Sequence, residues 1–581
     1  MQPVSESIDQ DIQPSRWSSL VFDSKAWGLR LSRLGQDWLR GRPVRHFPGA
    51  ALRDAQVLAE FEGNLWPKDE ADQTLVAGKI HNLRLAAKKL NGLEIPANAV
   101  FSFWRQLGRA SESRGFVAGR ELREGCIVPA IGGGLCQLSN AIYDSAVRAG
   151  LEVVERHRHS RALPGSLAEQ DRDATVFWNY VDLRLRAPFA WRLEVRLDES
   201  HLHLRIRAAD QRERPVLPLH LGARKAVDTG DCSTCDRHAC HRHTGLRQLS
   251  PHRTWLMDEQ WPEFLAYLDA HRDVSGRVLG LPGGLEDSIA ARLSRLQAWL
   301  RWRIALWRKL PIPHARTRRL ETTANALMTR LHPDDLHLVV SQGLLPYLWQ
   351  AGALAGRRFD VLMNAMPMAA IQKQLDSAAA RHPPSLTLSD FRAPGWLLEA
   401  ETEALAHAHR WISPHAQILA MAGARGEPLP WQTTPTPQSL ARRKRIGDEK
   451  PRLFFPASSL ARKGALELRE AVRGLPVRVL LLGQTEEAPD FWHGFAIDRV
   501  TTMAEGIELA DIVVLPAWIE HQPRGLLAAI ERGIPVIATD ACGLPVSPAW
   551  QRVHEGDSGA LRTMIGSFLA RITEHEAASA D

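Results

Sequence analysis

The chain has 581 residues, with 44% apolar positions, 24% charged positions and a formal net charge of +7. That length exceeds what one core supports, so about three or four domains are expected. The balance of apolar and charged residues is ordinary for a globular, cytosolic-type protein. No run reaches ~18 uninterrupted apolar residues, which argues against a spanning helix, and six cysteines are too sparse for a disulfide scaffold.

The first residues are acidic and polar and lack the charged-then-apolar pattern of a secretory leader. A cytoplasmic location is therefore expected, either free or peripheral to the inner face of the membrane. The basic balance suits acidic partners such as nucleotide-sugar diphosphates or anionic lipid. The densest basic run, Arg442-Arg443-Lys444-Arg445, sits in a Pro-rich stretch and reads as a solvated linker, so no nucleic-acid partner is expected.

Residues 1–74 form a lead-in with Trp17, Trp27, Trp38 and Trp66 spread through it, and that aromatic content predicts packing. Residues 75–210 read as a compact mixed α+β domain. In it, Gly132-Gly133-Gly134 bring the backbone close to something and set Cys136 at the start of a helix running from Gln137 to Ala149. A helix N-terminus favours the thiolate over the thiol. A strand from Leu151 to His159 follows, on which His157 and His159 share one face because strand side chains repeat every two residues. Asp173 and Asp182 come next. Three readings stay open. One is a nucleophile triad of Cys136, His157 or His159, and Asp173. Another is a metal site of Cys136, His157 and His159. The third is a binding domain whose Gly-rich turn, Arg156 and Arg158 hold an anion.

The stretches Phe101-Ser102-Phe103, Gly132 to Ser139, Gly150 to Ser160 and Asp173-Ala174-Thr175-Val176 resemble the VanW-like family over residues 80–207. That family is named for an accessory gene of glycopeptide-antibiotic resistance. The resemblance implies a domain and names no reaction, whereas the thiol triad points to acyl or peptide-bond chemistry on cell-wall precursors. The order Cys, His, Asp is also that of transglutaminase-like and papain-like thiol enzymes.

Residues 222–250 hold a Cys/His-rich connector. Cys232, Cys235 and Cys240 fall in a Cys-x2-Cys-x4-Cys pattern, with His241 and His243 directly behind. Two thiolates on one tight turn and a third after a short return suit tetrahedral zinc, completed by His241 or His243. Three thiolates and an external ligand suit a [4Fe-4S] cluster instead.

From residue 251 onward, helical patterns alternate with short apolar runs, the signature of βαβ units and parallel sheets. Strands are predicted at Leu336 to Val340, Phe359 to Met363, Arg452 to Phe455, Val477 to Leu482, Ile512 to Leu515 and Val536 to Ala538. Thr433-Thr434-Pro435-Thr436-Pro437 reads as a linker between two α/β domains, 251–432 and 440–572. On the segment 296–310, Leu296, Trp299, Leu300, Ile304, Trp307 and Leu310 share one face of a basic helix. Such a helix can lie in a membrane interface or pack against a core.

The segment Glu520 to Ala538 resembles the donor-binding motif of retaining, group-1 glycosyltransferases of the GT-B type, in which two doubly wound Rossmann-like domains face each other. Glu520, Pro523, Leu526, Leu527, Gly533, Pro535 and Val536 fall in place. Ala461-Arg462-Lys463-Gly464 is similar to the family's Lys-Gly step. The resemblance implies that Glu520 and Lys463 contact the sugar and diphosphate of a nucleotide-sugar donor. Pro523, Arg524 and Gly525 would open the helix beneath it. It further implies metal-independent transfer to an envelope glycan or lipid-linked acceptor. Ala528 stands where the second carboxylate is expected and Ser458 where an arginine is expected, so a non-catalytic donor-binding module is the alternative. Ser389 to Arg392, Glu399 to Ala408 and Trp411 to His415 are similar to the acceptor domain, with His415 or Arg392 at the cleft.

Overall fold

The computed structural model describes all residues except 1–15, 42, 68–71, 124–125, 160–161, 163–164, 210–229, 236–239, 241–246, 281–311, 383–384, 386, 390–391, 433–448, 484–485 and 581. The chain divides into two compact units. The first comprises residues 1–252 with 330–337 and 351–358, and the second holds the remainder. No helix among the described residues is long and apolar enough to cross a membrane.

The first unit is mixed α+β. Its main sheet is antiparallel and five-stranded, in the order Phe47–Pro48, Leu93–Ile95, Trp191–Leu197, His201–Ala208, Gln56–Asn64. Leu202, Leu204, Ile206 and Ala208 alternate into the core from one strand, as a one-sided sheet requires. Asp72 caps the helix Gln73–Leu90 by accepting from the amides of Thr74 (2.9 Å) and Leu75 (3.2 Å). That helix is buried almost all round, which explains why its apolar content exceeds a simple stripe. Two three-stranded sheets complete the unit. One orders Phe101–Ser102, Arg184–Arg186 and Glu152–Glu155, and the other orders Gly230–Asp231, Cys126–Ile131 and Ala118–Arg123.

Trp191 is fully buried and meets Phe101 edge-on at 5.8 Å between ring centroids. Trp191→Ala leaves a cavity that neighbouring strands cannot close, and about 3–5 kcal/mol of stability is expected to be lost. Urea unfolding followed by tryptophan fluorescence checks this.

Three sequence expectations change here. The lead-in is no separate region, because Gln56–Asn64 is an edge strand of the main sheet. Of its tryptophans only Trp66 packs against the core, whereas Trp17, Trp27 and Trp38 lie exposed on the helix Arg16–Arg40. That helix docks instead through polar contacts, Arg33 to Glu155 (2.6 Å) and Arg30 to the Trp178 carbonyl (2.8 Å). The connector is not independent either, since Gly230–Asp231 joins the sheet of Cys126–Ile131 in parallel.

The second unit is α/β with two six-stranded sheets. The first runs Arg277–Leu279, Arg253–Leu256, His337–Ser341, Arg358–Leu362, Arg410–Ser413, Gly426–Pro428. The second runs Ile497–Val500, Arg478–Leu482, Arg452–Phe455, Ile512–Leu515, Val536–Ala538, Trp550–Arg552, with every pairing parallel. In chain order this second sheet reads 3-2-1-4-5-6, the doubly wound order of dinucleotide-binding folds. All four residues of Ile512–Leu515 are buried, as a strand covered on both faces must be. The predicted linker at Thr433 and the amphipathic segment 296–310 lie outside the described residues.

Candidate functional site

In the first unit the Gly132-Gly133-Gly134 turn leads into the helix Leu135–Arg148. Gly132 and Gly134 adopt φ of +80° and +100°, the left-handed region that glycine tolerates. Gly133 is needed for space, because a β-carbon there would collide with the backbone of Gly119. This turn places Cys136 in the first turn of that helix.

Opposite it stands His159. The strand Glu152–Glu155 ends four residues earlier than expected, after an irregularity between Val153 and Glu155. Asp173 then takes over the backbone, accepting from the His159 amide at 2.7 Å and pairing with its ring Nδ1 at 2.6 Å. The His159 ring, with Nδ1 engaged by Asp173, also hydrogen bonds to the Cys136 side chain. His157 does not share this face. It is exposed and pairs with Glu155 at 3.2 Å, so the alternative triad and the Cys136–His157–His159 metal set are not assembled. Arg156 is no free anion binder, because it is bonded to Asp171 (2.8 Å) and Asp173 (3.1 Å) and lies over the Tyr143 ring. Arg158 pairs with Asp171 at 3.0 Å, and Asp182 lies elsewhere, accepting from Ser102 and Trp104.

Burial lowers the His159 pKa, but its bonds to Asp173 and Cys136 outweigh that and raise it to about 9. Asp173, itself penalised by burial, is held below the usual carboxylate range by its bonds from the His159 side chain and amide and by the His159 and Arg156 charges. The sign follows from linkage: a basic group raised from 6.5 to about 9 stabilises the fold fully below pH 6.5, and the gain fades as pH rises through 9. The first unit is therefore expected to lose about 3 kcal/mol between about pH 6 and about pH 10. Asp173→Asn flattens this slope, and urea titrations at both pH values measure it.

Cys136 and His159 open onto a cleft of about 1300 Å³. Its walls include Lys79, Arg120, Thr175 and Trp178, which sequence reasoning did not single out. Of these only Thr175 lay in a quoted motif, and it sits 3.7 Å from the Cys136 sulfur. Lys79 is hidden on a buried helix face. Burial and the nearby Arg120 charge lower its pKa to about 7.

The second unit brings together another set. Lys463 follows the strand Arg452–Phe455, and Glu520 follows Ile512–Leu515, which are the first and fourth strands of their sheet. These strands are neighbours at the point where the winding reverses, and ligands bind outside the carboxyl ends of strands at such points. Lys463 Nζ meets Glu520 Oε2 at 2.9 Å and the Ile519 carbonyl at 3.0 Å. Gly464, at φ +79°, presses against the Pro516 carbonyl so closely that a side chain would collide. Burial raises the Glu520 pKa, but the Lys463 charge and the Gln522 amide outweigh it and hold the carboxyl below its usual range.

Pro523 caps the eight-residue helix Arg524–Glu531, and Gly525 is packed against Met503 and Pro456. Arg524 is engaged elsewhere, paired with the fully buried Glu263 at 3.0 Å. His415 is buried, with Nε2 2.9 Å from the Glu520 carbonyl, so it supports the Glu520 loop. Arg392 is exposed and pairs with Asp376.

Cys232 and Cys235 sit on one turn beside the strand Cys126–Ile131, and Cys240 is half-buried, while His241 and His243 lie outside the described residues. Among the described residues one trio of metal-capable side chains is gathered within 4.8 Å, Asp198, His201 and His203. Asp198 already closes its hairpin there, accepting from the Ser200 amide at 2.7 Å and bonding His203 at 2.6 Å.

Residues 78–207 match the family model described as VanW like protein. The chain is 33% identical over 106 residues to the uncharacterized protein YoaR of Bacillus subtilis (strain 168), covering 18% of this chain and 34% of that protein. It is 30% identical over 136 residues to the vancomycin B-type resistance protein VanW of Enterococcus faecalis (strain ATCC 700802 / V583), covering 22% and 50%. The chain thus spans half or less of the length of these curated relatives. Among solved structures it is similar to sucrose-phosphate synthase from Thermosynechococcus elongatus, with TM-score 0.34, 18% identity, and 44% and 69% of the two chains covered. It is also similar to WaaG, a glycosyltransferase involved in lipopolysaccharide biosynthesis, with TM-score 0.32, 14% identity, and 55% and 90% covered.

Proposed function

We propose that this protein, whose residues 78–207 form a VanW-like domain, is a glycosyltransferase that moves a sugar from a nucleotide-sugar donor to an envelope glycan or lipid-linked acceptor. The observation that carries the reading is the Lys463–Glu520 pair, 2.9 Å apart at the winding reversal of the second parallel sheet. On this reading Lys463 meets the charge that develops on the leaving diphosphate, and Glu520 accepts from sugar hydroxyls. The amides that open Arg524–Glu531 face the diphosphate. Ser458 and Ala528 supply no charge, so Lys463 and Glu520 carry the polar recognition between them. A cytoplasmic location follows from the donor. Thermal-shift titration with UDP-, GDP- and dTDP-sugars tests this: one series is expected to stabilise the second unit, and uniformly flat curves would overturn the assignment.

A second reading is favoured by the Cys136–His159–Asp173 alignment in the first unit. The Cys136 sulfur attacks an acyl or peptide carbonyl of a cell-wall precursor. The proton that His159 already holds passes to the departing amine, leaving a thioester. Water or a second amine then releases the acyl group and restores the thiol. Iodoacetamide labelling of the intact chain tests the nucleophile: selective modification of Cys136 is expected, and preferential labelling elsewhere would remove this reading.

A further inference from the structure

Four of the six cysteines are drawn to one edge of a sheet, and the sequence pattern revealed three of them. Cys126 opens the strand Cys126–Ile131, and its register partner in the parallel strand is Gly230. Two residues on, the Cys232 amide donates to the Ile127 carbonyl at 3.1 Å, which fixes Cys232 beside Cys126. Asp231 then shapes a tight knuckle. Its carbonyl accepts from Thr234 (3.1 Å) and Cys235 (2.9 Å), and its carboxylate accepts from the Ser233 amide (2.9 Å). Arg120, from the far strand of this sheet, anchors Asp231 at 3.0 Å. The Cys232 thiol, 4% exposed, is hydrogen bonded to Cys126 and lies within electrostatic reach of Cys235 and Cys240. None of the four is in a disulfide.

We propose that Cys126, Cys232, Cys235 and Cys240 together bind one structural zinc ion. Zinc takes four thiolates at about 2.3 Å, which sets neighbouring sulfurs roughly 3.8 Å apart. Hydrogen-bond contact between Cys126 and Cys232 matches that spacing, whereas the thiolates of a cubane cluster each hold a separate iron and stand farther apart. No three of the four sulfurs yet lie within 4.8 Å of one another, so Cys235 and Cys240 close on the ion by side-chain rotation. Binding releases four protons from the thiols and leaves a centre of net charge −2. Arg120 and Arg123, on the strand paired with Cys126, lie alongside to offset it. The ion links chain segments about a hundred residues apart in sequence. Asp231 and Thr234 of the knuckle also line the cleft that holds Cys136, so the zinc fixes one wall of that cleft. This inference rests on the knuckle and is independent of either catalytic reading.

Elemental analysis of the full chain, purified without chelator, decides the matter. One zinc per chain is expected, with a four-sulfur shell at about 2.3 Å by X-ray absorption. Cys126→Ser is expected to lower zinc retention at least tenfold in the presence of a competing chelator. The His201→Ala/His203→Ala double variant is expected to keep its zinc, because it alters the hairpin trio instead. Should Cys126→Ser fail to fold, the wild-type sulfur shell still discriminates. Metal-free protein, a Cys126–Cys232 disulfide, iron with sulfide, or a shell containing nitrogen or oxygen would each overturn the proposal.

Discussion

On the thiol-enzyme reading, Cys136→Ala is expected to abolish acyl transfer, with a loss on the order of 10⁴-fold or more. His159→Ala should lose as much, and the double variant little beyond either, because nucleophile and base act as one device. The side-chain volume removed at Cys136 is small, so circular dichroism and melting of the variant should match wild type. The pH profile carries the finer prediction. His159 is protonated up to about pH 9 because Asp173 and Cys136 hold its proton. A step that needs imidazolium to protonate the leaving amine should therefore persist through neutrality and fall as pH rises through about 9. Asp173→Asn removes the strongest support for that proton, so the falling limb should move toward 6.5, the ordinary histidine value. Full turnover by Cys136→Ala, or an unshifted limb in Asp173→Asn, would eliminate the triad.

Lys463→Ala is expected to lower sugar transfer by about 10²–10³-fold, the usual effect of removing one preorganised charge from a developing anion. Glu520→Gln keeps the shape and most hydrogen bonds of the site, and a comparable loss is expected because the charge itself is removed. The two groups touch, so their effects should not add: the double variant should lose less than the product of the single losses. Lys463→Ala also leaves a mostly buried carboxylate without its cation, so its melting temperature should fall while that of Glu520→Gln falls less. Wild-type transfer in both single variants would remove this pair from the donor site.

Much of the second unit was legible in the sequence. Arg452–Phe455, Ile512–Leu515 and Val536–Ala538 are strands with the predicted bounds, because central parallel strands are buried on both faces and read as unbroken apolar runs. The edge strands Gly426–Pro428 and Trp550–Arg552 gave no such signal. Each is exposed on one side and mixes polar with apolar residues. The Gly132-Gly133-Gly134 turn was readable because left-handed backbone and close approach leave few options besides glycine.

The choice between His157 and His159 was not readable. Strand periodicity puts both on one face, and it fails here because Asp173, from a distant segment, captures the His159 backbone and ends the strand. Cys126 was equally hidden, since over a hundred residues separate it from Cys232 and only parallel pairing with Gly230–Asp231 joins them. Local chemistry, meaning apolar runs, helix starts and glycine turns, is written in consecutive residues, and the sequence alone determined it. Which ring faces Cys136, which cation meets Glu520 and which fourth thiol meets Cys232 depend on contacts between remote segments. Those partners are chosen by packing and hydrogen bonding across the fold, so only the tertiary structure decided them.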